Sequence, residues 1–113
     1  MIRFPVASDI EKYEIPNTVK YIFGENGYDF YGAFSNYGDT YNLKSVVIPE
    51  SVESIGGAAF WESRGLTDIK IGSNIKHLGG YAFGNTGYWL DESNWENGVL
   101  YIGKYVIDAK NTL

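Results

Sequence analysis

The sequence predicts a mainly β fold with short helical or 3₁₀ turns, built as a parallel solenoid of about three coils with a C-terminal β-hairpin cap. The first observation behind it is an eighteen-residue stretch that recurs at a fixed spacing, because self-similarity at a fixed period is the signature of repeat architectures. The second is composition, since 14 of the 113 residues are Gly and 10 are Tyr. Glycine favours turns and aromatic residues favour strands, so many short strands joined by turns are expected.

The repeat aligns residues 43–60 with residues 66–83, and six of the eighteen aligned positions are identical. An earlier copy begins at Ile10, which aligns with Leu43, and it is longer because further residues are inserted in it, most of them within 23–32. Each copy is interpreted as one coil of a single domain. The expected parts of this domain, residues 1–113, are an N-terminal edge (1–9), an enlarged first coil (10–42), a second coil (43–65), a third coil (66–88) and a C-terminal cap (89–113).

Each coil begins with a strand that buries one face. In the second coil Val46 and Ile48 recur at the period of two that such a strand requires, and β-branched residues favour its pleated backbone. Pro49 then ends the pairing because it has no N–H to donate. Val46 and Ile48 are therefore expected to point into the core.

The second half of each coil returns to the core and then turns. Val52 and Ile55 are expected to be buried, the glycine pair at 56–57 permits a turn that other residues would resist, and the Ala-Phe pair at 59–60 is interpreted as a short helical or 3₁₀ turn that plugs the coil. Coils stacked in register bring equivalent side chains together. The expected inner ladders are Ile15/Ile48/Ile71, Val19/Val52/Ile75, Ile22/Ile55/Leu78 and Phe34/Phe60/Phe83.

The last part of the chain leaves the repeat pattern. Two strand-favouring segments surround Gly103-Lys104, and a two-residue link containing Gly suits the turns that β-hairpins prefer. This hairpin is interpreted as a cap, because an exposed end of a solenoid needs covering.

The unit Leu-x-x-Val-x-Ile-Pro-x-x-Val-x-x-Ile-Gly-x-x-Ala-Phe of residues 43–60 resembles the BspA-type, or treponemal-type, leucine-rich repeat of anaerobic and host-associated bacteria. Residues 97–105 resemble a segment that often follows the Ala-Phe pair in such proteins. The resemblance covers about residues 10–109. It implies a right-handed parallel leucine-rich-repeat solenoid in a bacterial surface or secreted protein. Such a protein would be extracellular or at the cell surface, would not be an enzyme, and would serve in cell adhesion or matrix-protein binding.

Composition and charge argue against several functions. The formal net charge is −5, and binding to the nucleic-acid backbone depends on clustered cations, so no nucleic-acid partner is expected. The absence of Cys removes disulfides, thiolate metal sites and cysteine nucleophiles. Apolar runs are far shorter than the roughly 20 residues of a spanning helix, and residues 1–8 lack the long apolar stretch of a signal peptide. No membrane insertion is expected.

No residue pattern predicts a catalytic, metal or cofactor site. His77, the one His of the chain, occupies the position that Tyr21 and Ser54 hold in the other coils, where an exposed side chain is expected. No Gly-x-Ser-x-Gly sequence accompanies it, so a Ser-His-Asp triad is not indicated. The acidic segment 91–96 lacks the spacing of a calcium loop and is interpreted as a solvated loop. No cofactor is expected.

Outward positions of the first strands are the leading candidates for binding a protein partner. They are expected on the face that is usually concave in leucine-rich repeats, as the two ladders Lys12/Ser45/Asp68 and Glu14/Val47/Lys70. A surface of mixed charge and small side chains suits protein recognition, but it also suits mere solubility. The leading hypothesis is that this face and the first-coil loop bind a protein partner, and the family resemblance implies that this partner is a host matrix protein or a protein of a neighbouring cell.

Aromatic residues form the second set of candidates. Tyr28 and Tyr31 lie in the first-coil insertion and Trp61 follows the second Ala-Phe pair, and long inserted loops and exposed aromatic rings are features of binding sites. Trp89 and Trp95 are instead expected to be buried under the cap. One alternative is a carbohydrate-binding module whose exposed Trp and Tyr rings stack on sugars, and another is a purely structural repeat segment.

The N-terminal edge, residues 1–9, is a candidate for weak self-association. An uncovered first coil would offer an unpaired strand edge. Such an edge can pair with a copy of itself, so dimers remain open.

Overall fold

Short strands and turns make up most of the computed structural model, which describes residues 10–24 and 42–110. One four-residue helix and one 3₁₀ turn are the helical elements in those ranges. The expected mainly β content with little helix is confirmed. The strands are β1 (Lys12–Glu14), β2 (Tyr21–Ile22), β3 (Ser45–Ile48), β4 (Ser54–Ile55), β5 (Asp68–Ile71), β6 (His77–Leu78), β7 (Trp95–Glu96), β8 (Val99–Ile102) and β9 (Tyr105–Ala109); the helix α1 is Gly87–Leu90 and the 3₁₀ turn is Glu92–Asn94.

The first strands of successive repeats form an open parallel sheet in the order β1-β3-β5. Tyr13, Val46 and Ile69 are paired across it, so the register follows the alignment of the repeats in the sequence. A second open parallel sheet, β2-β4-β6, pairs Ile22 with Ile55, as the same alignment predicts. The third sheet, β7-β8-β9, is antiparallel, so the expected parallel arrangement holds for two of the three sheets described.

The core is lined by inward side chains of both parallel sheets and of the turns between them. Val46 and Ile48 of β3 are 0% and 1% exposed, as their spacing predicts. The rings of Phe60 and Phe83, one from each of two consecutive repeats, are stacked with centroids 5.0 Å apart and planes 11° apart. Full burial of one large apolar side chain stabilises a fold by about 1.5–3 kcal/mol, so these ladders hold the repeats together. Phe34, the expected first ring of the Phe ladder, lies outside the described residues.

The glycine pairs of the repeats serve a different purpose from the one predicted. The positive φ angles of these turns, both 58°, lie on Ala58 and Tyr81, the residues after each pair. A Cβ on Gly56 would lie 2.4 Å from the backbone N of Gly24, and a Cβ on Gly79 would lie 2.2 Å from the backbone N of Gly57. At the first position of each pair, glycine is required because the backbones of neighbouring repeats touch, not because the turn needs a left-handed glycine.

The Ala-Phe segments form consecutive turns rather than a 3₁₀ helix. In the second repeat the N–H of Ala59 donates to the carbonyl of Gly56 at 3.3 Å, and the N–H of Ser63 donates to the carbonyl of Phe60 at 3.2 Å. A positive φ at the third residue of each turn, 58° at Ala58 and 67° at Glu62, is the pattern of type II turns. Because the Ala and Phe side chains are buried, these turns fill the interior of the repeat, as expected.

The strands β8 and β9 form an antiparallel hairpin closed by Gly103-Lys104. Gly103 has a φ of 58° at the first central position, which is the type II′ geometry. A second hairpin joins β7 to β8 through Asn97-Gly98, where both φ angles are positive, at 53° and 82°, as a type I′ turn requires. This second hairpin is not among the sequence predictions, although an Asn-Gly pair is a strong hairpin signal.

The antiparallel sheet packs against the last parallel strands. A Cβ on Gly103 would lie 3.2 Å from Cγ2 of Ile71 in β5. The N–H of Ile75 donates to the hydroxyl of Tyr105 in β9 at 2.9 Å, and Ile102 of β8 belongs to the same core as the repeats. The hairpin and the third repeat are therefore one packed unit.

Candidate functional site

Strands β1, β3 and β5 place six outward side chains on one surface. Backbone pairing aligns them in two rows that run across the strands, in the predicted register. The charged side chains at the two edges are exposed, and the two central side chains are half-buried. The rows are Lys12/Ser45/Asp68 and Glu14/Val47/Lys70, and together they are called the β face.

Charges of opposite sign alternate along each edge of the β face. Lys12 and Glu14 lie two residues apart on β1 and therefore point to the same side. On β5 the order is reversed, because Asp68 precedes Lys70. The hydroxyl of Ser45 donates to Oδ2 of Asp68 at 3.4 Å. Within the described ranges, the ion pairs use none of the charges on Lys12, Glu14 or Lys70.

No contact among the described residues places the aromatic candidates at the β face. Tyr28 and Tyr31 lie outside the described residues, so their role remains a prediction. Trp61 is half-buried and packs beside Gly84 of the following repeat, where a Cβ on the glycine would lie 3.3 Å from Cδ1 of the indole. Trp61 thus belongs to the row of turns that follows the Phe ladder.

Tyr81 is an exposed aromatic residue that the sequence predictions do not include. Its side chain is 72% exposed, and its backbone has a φ of 58°, which is unusual for a bulky residue. Tyr81 also borders Gly84, at 3.3 Å from the position of an added Cβ, so it lies next to Trp61. The available signal was its position after the glycine pair, where the preceding repeat has the small residue Ala58.

The two tryptophans near the C-terminus hold the end of the molecule together. Nε1 of Trp89 donates to Oδ2 of Asp108 at 3.0 Å, and Nε1 of Trp95 donates to the carbonyl of Trp89 at 2.9 Å. The two rings meet edge to face with centroids 5.7 Å apart, and the ammonium of Lys110 lies 4.3 Å from the centroid of Trp95. Both side chains are half-buried, so the expected burial is realised only in part.

His77 is a surface residue as predicted, whereas the acidic segment 91–96 is only in part the expected solvated loop, because it forms the 3₁₀ turn and β7 and its Asn94 and Trp95 are half-buried. His77 is exposed and is paired with Ser54, as its position in the repeat predicts. Oδ1 of Asp91 accepts hydrogen bonds from the hydroxyl and the N–H of Ser93, and these bonds hold the pKa of Asp91 below its usual value. In the part of the chain that the structure describes, no three His, Asp or Glu side chains are placed to hold a metal ion.

An open cleft of about 530 Å³ lies on the antiparallel sheet. It contains none of the residues that the sequence predicts for binding. One acidic and one basic side chain line it together with polar and small residues, so it has no deep apolar interior. The lining residues are Glu96, Asn97, Val99, Tyr101, Gly103 and Lys104.

Comparison with protein families identifies the repeat. The family model described as "BspA type Leucine rich repeat region (6 copies)" matches residues 31–113. The chain belongs to the BspA-type leucine rich repeat family. The resemblance stated from the sequence is therefore confirmed, and the match also includes the residues interpreted as a cap. Comparison with curated proteins and with solved structures found no match.

The BspA-type family indicates a protein-interaction repeat module. Repeats of this family are generally non-enzymatic scaffolds, and proteins that contain them are often secreted or located at the surface. Among the helices of the described residues, none has the length and apolar character needed to cross a membrane.

Polar side chains link consecutive BspA-type repeats at the same spacing as the backbone pairing. Glu50 accepts hydrogen bonds from the hydroxyl and the N–H of Ser73, each at 2.7 Å, and these bonds hold the pKa of Glu50 below its usual value. Glu62 accepts a bond from Asn85 Nδ2 at 2.6 Å and pairs with Arg64 at 2.9 Å. The contacts of Glu50 with Ser73 and of Glu62 with Asn85 join the second repeat to the third and support the register between β3 and β5.

Proposed function

We propose that this chain is a non-enzymatic protein-binding module that presents the β face on a right-handed BspA-type solenoid of about three coils. The observation that carries the proposal is the in-register alignment of its charged and small side chains across β1, β3 and β5. In this proposal residues 1–113 form one domain, and residues 89–113 are the cap that covers the last coil.

Rigid display is the mechanism. Backbone hydrogen bonds set the spacing of the strands, and the buried Val46 and Ile48 anchor β3 from behind. A binding surface that is ordered before it meets its partner loses little conformational entropy on binding. Charges of both signs surround the small side chains of Ser45 and Val47, and a polar rim of this kind is usual at protein interfaces.

The biological setting follows from the family. BspA-type repeats are often found in secreted or surface proteins, so the proposed partners are a host matrix protein or a protein of a neighbouring cell. The first-coil loop that contains Tyr28 and Tyr31 is proposed to extend the binding surface. Adhesion to another cell or to a matrix is then the proposed role.

The test is binding of the purified chain to a panel of extracellular-matrix and cell-surface proteins. The variant Glu14→Lys/Lys70→Glu keeps the net charge and inverts one row of the β face. We expect it to weaken binding about tenfold, because like charges then face the partner. A matched control, Lys20→Glu/Glu96→Lys, makes the same exchange at exposed positions outside the first sheet and is expected to bind like the wild type. Equal affinity of both variants for an identified partner would contradict the proposal.

A second candidate function is carbohydrate binding at Tyr81 and Trp61. Tyr81 is 72% exposed and lies beside Trp61 at Gly84. Exposed aromatic rings can stack on the apolar faces of sugars, and bulky residues with a positive φ are concentrated at functional sites. Trp89 and Trp95 are excluded as the platform in this candidate, because their indole N–H groups and ring edges are used inside the chain.

The carbohydrate candidate is tested by titrating a library of oligosaccharides while recording the indole N–H signals of the three Trp residues by NMR. We expect the signal of Trp61 to shift and the variant Tyr81→Ala to abolish the shift. Tyr21→Ala is the control, because Tyr21 is equally exposed, at 70%, but lies in β2. An absence of shifts in the wild type, with matrix proteins as well as with sugars, would favour a purely structural segment.

A further inference from the structure

The charges of the β face form a self-complementary pattern. On β1 a cation is followed by an anion, on β5 an anion is followed by a cation, and the central strand between them carries Ser45 and Val47. Each cation at one edge is thus aligned with an anion at the other edge. From β1 to β5, the first row has a positive, a neutral and a negative side chain, and the second row has a negative, a neutral and a positive one.

This pattern has a consequence for two copies that face each other. If a two-fold axis runs along β3, the strands of the two copies point the same way, and Lys12 lies opposite Asp68 of the other copy. Glu14 then lies opposite Lys70 in the same manner. If the axis runs across the strands instead, the copies point in opposite directions and Lys12 lies opposite Glu14. Every charge meets an opposite charge in both arrangements, which is the condition for an isologous interface.

We infer that the β face binds a second copy of this chain, face to face. The inference rests on the proposed function, since it names the partner of the same face. Charge complementarity is its basis, and the ion pairs among the described residues use none of the charges of Lys12, Glu14 and Lys70. The small central residues let the two sheets approach closely enough for the charges at the edges to pair.

The size and charge of the surface set the strength and the salt dependence of this contact. Six residues are far fewer than the roughly 20–30 per side of a standard interface. The expected dissociation constant at low salt is therefore on the order of 0.1–1 mM. Salt shortens the screening length to about 8 Å at physiological ionic strength and less above it, so association weakens as salt is added.

The experiment is sedimentation equilibrium of the whole chain up to millimolar concentration, at low and at high salt, with charge-exchange variants. Lys12→Glu turns two attractive contacts into repulsive ones in either arrangement, so we expect an about tenfold weaker association. If the strands point the same way, Lys12→Glu/Asp68→Lys restores association. If they point in opposite directions, Lys12→Glu/Glu14→Lys restores it. The three side chains that these variants change are exposed, so the variants leave the core unchanged.

Specificity is tested by exchanging all four charges at once. The variant Lys12→Glu/Glu14→Lys/Asp68→Lys/Lys70→Glu is expected to associate with itself as the wild type does, but not with the wild type. Mixing ¹⁵N-labelled wild type with the unlabelled variant measures this by the amide shifts of β1, β3 and β5. If the wild type associates with the variant as strongly as with itself, the inference is overturned.

Further outcomes separate this inference from the proposed function. A wild type that is monomeric at millimolar concentration, or an association that ignores Lys12→Glu, overturns the inference. The inference is also overturned if Lys12→Glu weakens association and neither of the two double variants restores it. If the β-face variants then still reduce binding to a matrix or cell-surface protein, the proposed function stands without self-association. If the β-face variants change neither self-association nor binding to such a protein, both this inference and the proposed function fail.

Discussion

Single glycines control how closely the repeats approach. Gly79 and Gly80 are neighbours in the sequence, yet their surroundings differ. A Cβ on Gly79 would lie 2.2 Å from the backbone N of Gly57, whereas a Cβ on Gly80 would meet nothing within 4 Å. Glycine is therefore required at position 79, whereas position 80 tolerates substitution.

The variant Gly79→Ala is expected to destabilise the fold by about 2–3 kcal/mol, because backbone atoms of the previous repeat cannot move aside as a side chain can. The control Gly80→Ala is expected to lie within about 0.5 kcal/mol of the wild type. Urea unfolding followed by circular dichroism measures both. Equal costs for the two variants would show that the close approach of the repeats is not what selects glycine at position 79.

The contact between Glu50 and Ser73 makes stability depend on pH. The hydroxyl and the N–H of Ser73 stabilise the charged carboxylate, with a smaller effect from Lys104, so the pKa of Glu50 is lowered in the folded state. A group with a lowered folded pKa contributes stability above its unfolded value, about 4.3 for Glu. That contribution is lost as the pH falls through the lower folded value.

The variant Glu50→Gln is therefore expected to be less stable than the wild type near neutral pH and to approach it in acid. The measurement is the urea midpoint of both proteins from about pH 7 to about pH 3. Ser73→Ala, alone and combined with Glu50→Gln, isolates the pair, and the coupling between the two substitutions should shrink over the same range. A difference between wild type and Glu50→Gln that stays constant with pH would refute the assignment.

At the scale of elements, the hairpin β8–β9 is joined to the third repeat by a few defined contacts. The hydroxyl of Tyr105 accepts a hydrogen bond from the N–H of Ile75 at 2.9 Å. Gly103, in the turn of the hairpin, lies beside Ile71. The hydroxyl of Tyr88 donates to the carbonyl of Tyr101 at 2.6 Å, which ties α1 to β8. The end of the molecule is thus attached through polar contacts as well as through the core.

The variant Tyr105→Phe removes the acceptor of the Ile75 N–H and leaves that part-buried donor without its partner. A destabilisation of about 1–2 kcal/mol is expected. Tyr101→Phe is the control, because the side chain of Tyr101 is 38% exposed and its contact with Tyr88 uses the backbone carbonyl. Thermal unfolding monitored through Trp fluorescence compares the two. If both variants have the same midpoint, the Tyr105 contact does not attach the hairpin.

At the scale of the whole molecule, the burial of equivalent side chains differs between repeats. Ile48 in the central strand β3 is 1% exposed, and Ile15, which follows the edge strand β1, is 3% exposed. Ile71 holds the same position in β5, which is an edge strand of its sheet, and it is only half-buried. The same side chain in the same repeat position therefore contributes differently to the core.

We expect Ile48→Ala to cost about 2–5 kcal/mol and Ile71→Ala about half as much, because the cost follows the apolar area that is removed from water and the cavity that remains. Chemical unfolding of both variants gives the comparison. If Ile48→Ala does not fold, the pair Ile48→Val and Ile71→Val tests the same order with smaller changes. A larger cost at Ile71 would contradict the stacking described for the core.

The amino-acid sequence by itself determined the repeat and its register. The repeat spacing aligned Val46 with Ile69 and Phe60 with Phe83, and backbone pairing and ring stacking follow that alignment. It also determined the composition of the β face, because side chains of a strand alternate between its two sides. Local patterns of this kind are visible in a sequence because they depend on residues a few positions apart or on whole repeats.

Only the tertiary structure decided how distant residues share space. The first glycine of each pair, Gly56 and Gly79, is needed for contact between repeats, which no local turn rule reveals. The left-handed backbone and the exposure of Tyr81 depend on the neighbouring turn. Trp89 and Trp95 are oriented by Asp108 and by each other. Steric exclusion and hydrogen bonding act between atoms that only folding brings together, so these properties are not encoded in any single segment.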